Sequence, residues 1–192
     1  MRRFSVRPTF TLRGRTFKGL RGWSGKPLHP PLTDFPVAAY VLAAAFDVIS
    51  ALGRRHAFDR DFFRAGTYVF IGGAAVSLLT ALTGYWDWLR STEKGTQARR
   101  TANTHASTMI TVTVLVLVDI ALRLNVYHTR THPSVAILAL SLIVALLVSI
   151  GATFGGTLVY DYGFNVETAG DSPVWHVSEQ DVLSGEHDVD RT

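Results

Sequence analysis

Gly25-Lys26-Pro27-Leu28-His29-Pro30-Pro31-Leu32-Thr33-Asp34-Phe35-Pro36 divides this chain, because the residues before it are basic and the residues after it are apolar. Its four prolines fix φ and remove amide donors. The stretch therefore reads as a stiff, extended lead-in that turns helical only near Pro36 and holds His29 and Asp34 at the edge of a membrane. Composition agrees: 47% of the residues are hydrophobic and 18% charged, with the charges gathered outside four apolar runs. The fold class that follows is all-α, an integral membrane four-helix bundle with a basic N-terminal arm and an acidic C-terminal tail.

The arm, residues 1–26, holds eight Lys or Arg and no acid. Two readings stay open. It is a retained cytoplasmic arm lying on anionic lipid, with Phe4, Phe10, Phe17 and Trp23 as interfacial anchors, or it is an organellar transit peptide. A secretory signal is disfavoured, since no apolar run follows until Phe35 and that run is long enough to span.

The membrane domain, 27–166, places its spans at about 35–52, 65–89, 106–124 and 134–158. Residues 167–192 complete a polar tail, and from Asp161 onward there are eight acids against one Arg. No internal repeat links the spans. Gly151 and Gly155, Ala152 and Gly156, Gly72 to Ala75, and Ala43 to Ala45 are the small-residue surfaces expected to let helices approach. The arm, second connector and tail hold thirteen Lys or Arg, against five in the first and third connectors. Both termini are thus expected in the cytoplasm. The arm and tail should then meet in a loose, salt-sensitive association, with Asp161 to Trp175 ordered and Ser178 to Thr192 fraying.

That orientation brings His29, Asp34, Asp87, His105 and Tyr160 to one membrane level. Asp47 lies 13 residues beyond Asp34, and Asp119 lies 14 beyond His105. Each acid is therefore about 20 Å further along its helix, at a second level. Asp119 and Arg123, four apart, share a helix face and can pair.

The lead-in from His29 to Pro36, Thr83-Gly84 with Asp87-Trp88, His105-Ala106, and Gly155-Gly156-Thr157-Leu158-Val159-Tyr160 followed by Gly163 resemble domain-of-unknown-function family 2231, small four-span bacterial membrane proteins. The resemblance covers about residues 25–166. Many relatives have His where Lys26 stands, and His after the paired glycines where Thr157 stands, so two potential ligands are absent here. Some relatives are joined to iron–sulfur or cytochrome modules, which implies redox partners or a membrane complex by association.

For the first level, one reading makes His29 and His105 the ligands of haem b or a transition metal, in a pocket closed by Asp34, Asp87 and Tyr160. The other makes all five interfacial residues at helix ends, with Asp34 as an N-cap and Asp87 paired to Arg90 or Arg99. For Asp47, Asp119 and Arg123 the alternatives are a proton or ion path and a structural ion pair beside a protonated or hydrogen-bonded Asp47. His128 and His132 form a weak metal pattern. The absence of cysteine excludes disulfides, thiolate-held clusters and c-type haem. No nucleophile triad, phosphate loop or nucleic-acid module is present, so the function class is a membrane electron-transfer or metal-binding module, or a non-catalytic subunit or scaffold.

Overall fold

A computed structural model of the chain describes residues 19–22, 26–53 and 58–166. The four helices are α1 (His29–Leu52), α2 (Asp59–Ser91), α3 (Gln97–Val126) and α4 (Val135–Tyr160). All four are long and apolar enough to cross a membrane. The arm as far as residue 18 and the tail from 167 lie outside the described residues, and so do their association and the ordering expected for most of 161–175.

Each helix outruns its apolar core. α2 begins at Asp59 rather than near residue 65, and its 33 residues reach about 50 Å. α3 begins at Gln97 rather than near 106, because the Thr96 hydroxyl accepts the Arg99 amide at 3.2 Å and caps the polar turns. Ser134 caps α4 in the same way, accepting from the Ile137 amide at 3.3 Å. Within the spans, threonine and serine hydroxyls return to carbonyls of their own helix, as Thr108 does to Thr104 and Ser149 to Ala145, so they enter lipid without a bare donor.

The lead-in is helical from His29, not from Pro36. Pro30 and Pro31 fall in the first turn, where the amides that they lack would have had no partner. Pro36 therefore sits inside α1 and leaves the carbonyl of Leu32, four residues earlier, without its helical donor. The Thr80 hydroxyl of α2 reaches that carbonyl at 3.2 Å, sharing its one proton with the Val76 carbonyl of its own helix at 3.0 Å. Asp34 is consequently not a cap: it is the sixth residue of the helix and is exposed.

The bundle is two helical hairpins. α1 packs chiefly on α2 and α3 on α4, while the α1–α4 and α2–α3 contacts that join the hairpins are sparser. Gly73 admits the first pairing, since a Cβ there would lie 2.8 Å from the Ala39 side chain and 3.0 Å from the Tyr40 ring. Gly151 admits the second, where a Cβ would meet the Met109 sulfur at 2.6 Å. Ala43 and Ala44 are buried and Gly155 lies against His105, whereas three other small residues expected at interfaces point elsewhere. Ala152 is exposed, a Cβ at Gly156 would have only Tyr160 of its own helix nearby, and one at Gly72 would meet nothing within 4 Å. Tyr40, Ala43, Phe70, Val112, Val116, Val144 and Val148 form the buried apolar centre, with all four helices contributing.

Candidate functional site

The seam between the hairpins carries two polar levels, one on each side of that apolar centre. At the level where α1 begins and α4 ends, His29 of α1 and His105 of α3 face each other with ring centroids 6.4 Å apart and planes at 82°. Each ring is strapped to its own hairpin. His29 Nδ1 lies 3.0 Å from the Thr80 carbonyl and 3.2 Å from the Thr83 hydroxyl, and His105 Nδ1 lies 2.8 Å from the Gly151 carbonyl. A carbonyl only accepts, so Nδ1 carries the proton in both rings and Nε2 bears the lone pair. Two glycines let the rings approach the helix backbones closely. A Cβ at Gly84 would sit 2.6 Å from His29 Cε1, and one at Gly155 would sit 3.3 Å from His105 Cε1.

The other residues expected at this level do not join the pair. Asp34 is exposed, and Tyr160 is 87% exposed in an open groove with Ser149, Thr153 and Thr157. Asp87 is buried at the end of α2, but its partner is the main chain of the arm: Oδ1 accepts from the Leu20 amide at 2.7 Å. A Cβ at Gly19 would stand 2.7 Å from the same oxygen, so only a bare backbone passes there. The loop returns to α1 through Gly22 N–H to the Lys26 carbonyl (2.8 Å) and Leu28 N–H to the Leu20 carbonyl (3.0 Å). Asp87 thus fastens the arm to the bundle and does not pair with Arg90 or Arg99. Those cations lie over Trp86 at 5.0 Å and Trp88 at 3.5 Å, and Arg99 also donates to the Trp88 carbonyl at 3.0 Å. Thr80 and the Leu20 amide were missed by sequence reasoning; the one signal for Thr80 was Pro36, whose stranded carbonyl requires a donor from another helix.

At the far level, Arg123 of α3 is fully buried between two fully buried carboxylates. It forms a two-pronged pair with Asp47 of α1, Nη1 to Oδ1 at 3.0 Å and Nη2 to Oδ2. It also reaches Asp119 on its own helix, Nε to Oδ1 at 3.2 Å and Nη2 to Oδ2 at 3.3 Å. Phe70 and Phe63 complete its surroundings, their ring centroids 4.6 and 5.8 Å from the guanidinium carbon. Asp47 is therefore the principal partner of the arginine, not a lone acid beside an Asp119–Arg123 pair. His128 packs edge-on to Tyr127 at 5.1 Å, and His132 Nδ1 lies 3.2 Å from the Thr131 hydroxyl. Among the described residues no three His, Cys, Asp or Glu side chains come close enough together to hold a metal ion.

A family model described as "Predicted membrane protein (DUF2231)" matches residues 25–168. No curated protein and no solved structure matches the chain.

Proposed function

We propose, starting from a chain that belongs to the DUF2231 family of predicted membrane proteins, that this bundle is a multi-pass inner-membrane module holding a metal centre between His29 and His105 and serving electron transfer. The observation that carries the reading is the pair of imidazoles, one from each hairpin, facing across the seam at 6.4 Å with each Nδ1 tied to a main-chain carbonyl. Such a tie fixes the tautomer and makes Nε2 a ligand, as an outer hydrogen bond does for metal-binding histidines generally.

The donor set favours haem iron over a bare ion. Structural and catalytic metal sites generally draw three or four ligands from the protein, and among the described residues only the two histidines are available here. Haem carries nitrogen donors of its own, so two protein ligands would suffice, and when bound it would supply one-electron chemistry. His29 and His105 would be those ligands, with the hydrogen bonds to their Nδ1 atoms orienting them. The sparse α2–α3 contact is the side on which the seam could admit a flat ligand. Thirteen cations against five support cytoplasmic termini, so the histidine level lies toward the cytoplasm, the basic arm meets anionic lipid, and a soluble or membrane redox protein would be the electron partner.

One observation favours a second reading, a scaffold subunit without cofactor: the same Nδ1 bonds tie α1 to α2 and α3 to α4, which is structural use enough for both rings. The visible spectrum and metal content of detergent-purified protein, as isolated and after addition of haem b or divalent transition-metal salts, separate the two. The first reading expects a stoichiometric band or metal that falls in both His29→Gln and His105→Gln, where the amide can keep the carbonyl bond. Wild-type protein that takes up neither, or uptake unchanged in both variants, would overturn it.

A further inference from the structure

The far level supports an inference that does not depend on the histidine pair. Asp47, Asp119 and Arg123 are all 0% exposed, and two carboxylates flank one guanidinium. If both acids were ionised, the cluster would carry a net negative charge in the membrane-spanning part of the bundle, where an uncompensated charge is strongly disfavoured. Among the described residues no second cation pairs with either carboxylate. α4 has no charged residue from Val135 to Tyr160. On α2, Phe63 and Phe70 face the arginine. The charges of the first turns of α2 lie elsewhere: Asp61 is exposed, Asp59 accepts the Arg60 amide at 2.6 Å, and Arg64 lies over Tyr127 at 5.3 Å. α1 offers Asp47, and α3 offers Asp119 and Arg123 themselves.

The structure assigns this cluster as a proton-binding site in which Asp47 and Asp119 share one proton, with Arg123 balancing the one negative charge that remains. Geometry binds both acids to the one cation. Asp47 meets the guanidinium with two nitrogens in a planar fork, and Asp119 is held by two nitrogens as well, through both of its oxygens at 3.2 and 3.3 Å. The ligand is the proton alone, and its binding and release change the net charge of the site between zero and minus one. Arg123 stays charged throughout, because its guanidinium cannot give up a proton under these conditions.

Infrared difference spectroscopy of the full chain in lipid, with carboxyl-labelled aspartate, reads the number of protonated carboxyls by their C=O stretch. Wild-type protein at neutral pH should show one such group from the cluster. Asp119→Asn should lose it. Asp47→Asn should lose it as well, because Asp119 is then the only counter-ion for Arg123 and ionises. Arg123→Gln should raise the count from one to two. Because the two Asp→Asn variants keep the shape and remove charge, they remain informative if Arg123→Gln does not fold. A wild-type spectrum with no protonated carboxyl that Asp119→Asn removes would overturn the assignment, and so would a signal that survives intact in Asp47→Asn.

Discussion

Gly84→Ala tests the packing of the histidine level. The added methyl would lie 2.6 Å from His29 Cε1 and 3.0 Å from Nδ1, inside contact distance, so the ring must leave its position on α2. Forcing a methyl into a packed site costs about 1–3 kcal/mol. Losing the His29–Thr80 bond adds about 0.6 kcal/mol, the typical worth of an interhelical hydrogen bond in a membrane. Alanine recovers about 1 kcal/mol of helix propensity. The net is a destabilisation of about 1–2 kcal/mol. Gly72→Ala on the same helix is the control: its methyl meets nothing within 4 Å, so it should be neutral or stabilising by up to about 1 kcal/mol. The two variants should therefore differ by about 2 kcal/mol, close to thirtyfold in the folding equilibrium. Denaturation by SDS in mixed micelles, followed by circular dichroism, measures the difference. Gly84→Ala as stable as Gly72→Ala would refute the claim that His29 rests on the bare α2 backbone.

Thr80→Val should cost about 1 kcal/mol by stranding the Leu32 carbonyl, and almost nothing when Pro36→Ala is also present, because alanine restores the helical amide. Equal costs of Thr80→Val in the two backgrounds would mean that the threonine does not substitute for the missing bond. Asp87→Leu removes the acceptor of the Leu20 amide and should speed tryptic cleavage at Arg21 several-fold while leaving the helices intact. A digestion rate equal to that of the wild type would show that the carboxylate does not hold the arm.

Features that depend on depth along a helix could be read from residue spacing. Spans one and three run parallel, so His29 with His105, and Asp47 with Asp119 and Arg123, meet at two levels once the rise per residue is counted. Helix ends and interhelical partners obeyed other rules. The helical start at His29 depends on prolines that tolerate a first turn, and on a hydroxyl 48 residues beyond Leu32 that satisfies the carbonyl left by Pro36. Asp87 looked like half of an ion pair with the nearby arginines, but those stack on tryptophan faces and its hydrogen bond comes from a backbone amide, which leaves no mark in a sequence. Ala152 and Gly156 were indistinguishable by spacing from Gly151 and Gly155, since rotation about the helix axis decides which small pair meets a neighbour.

The band of Phe70, Val112, Val116, Val144 and Val148 is a dry apolar layer between the two polar levels. Where polar groups reach inward from each side, the thickness over which a transmembrane voltage drops shrinks toward that of the band alone. A full crossing is worth about 2.3 kcal/mol per elementary charge per 100 mV. A charge appearing at the histidines or at the Asp–Arg–Asp cluster would then sense chiefly the potential of its own side, and only transfer through the band would collect most of the voltage. The residues at positions 70, 112, 116, 144 and 148 therefore form the apolar layer that any charge passing from one level to the other would have to cross.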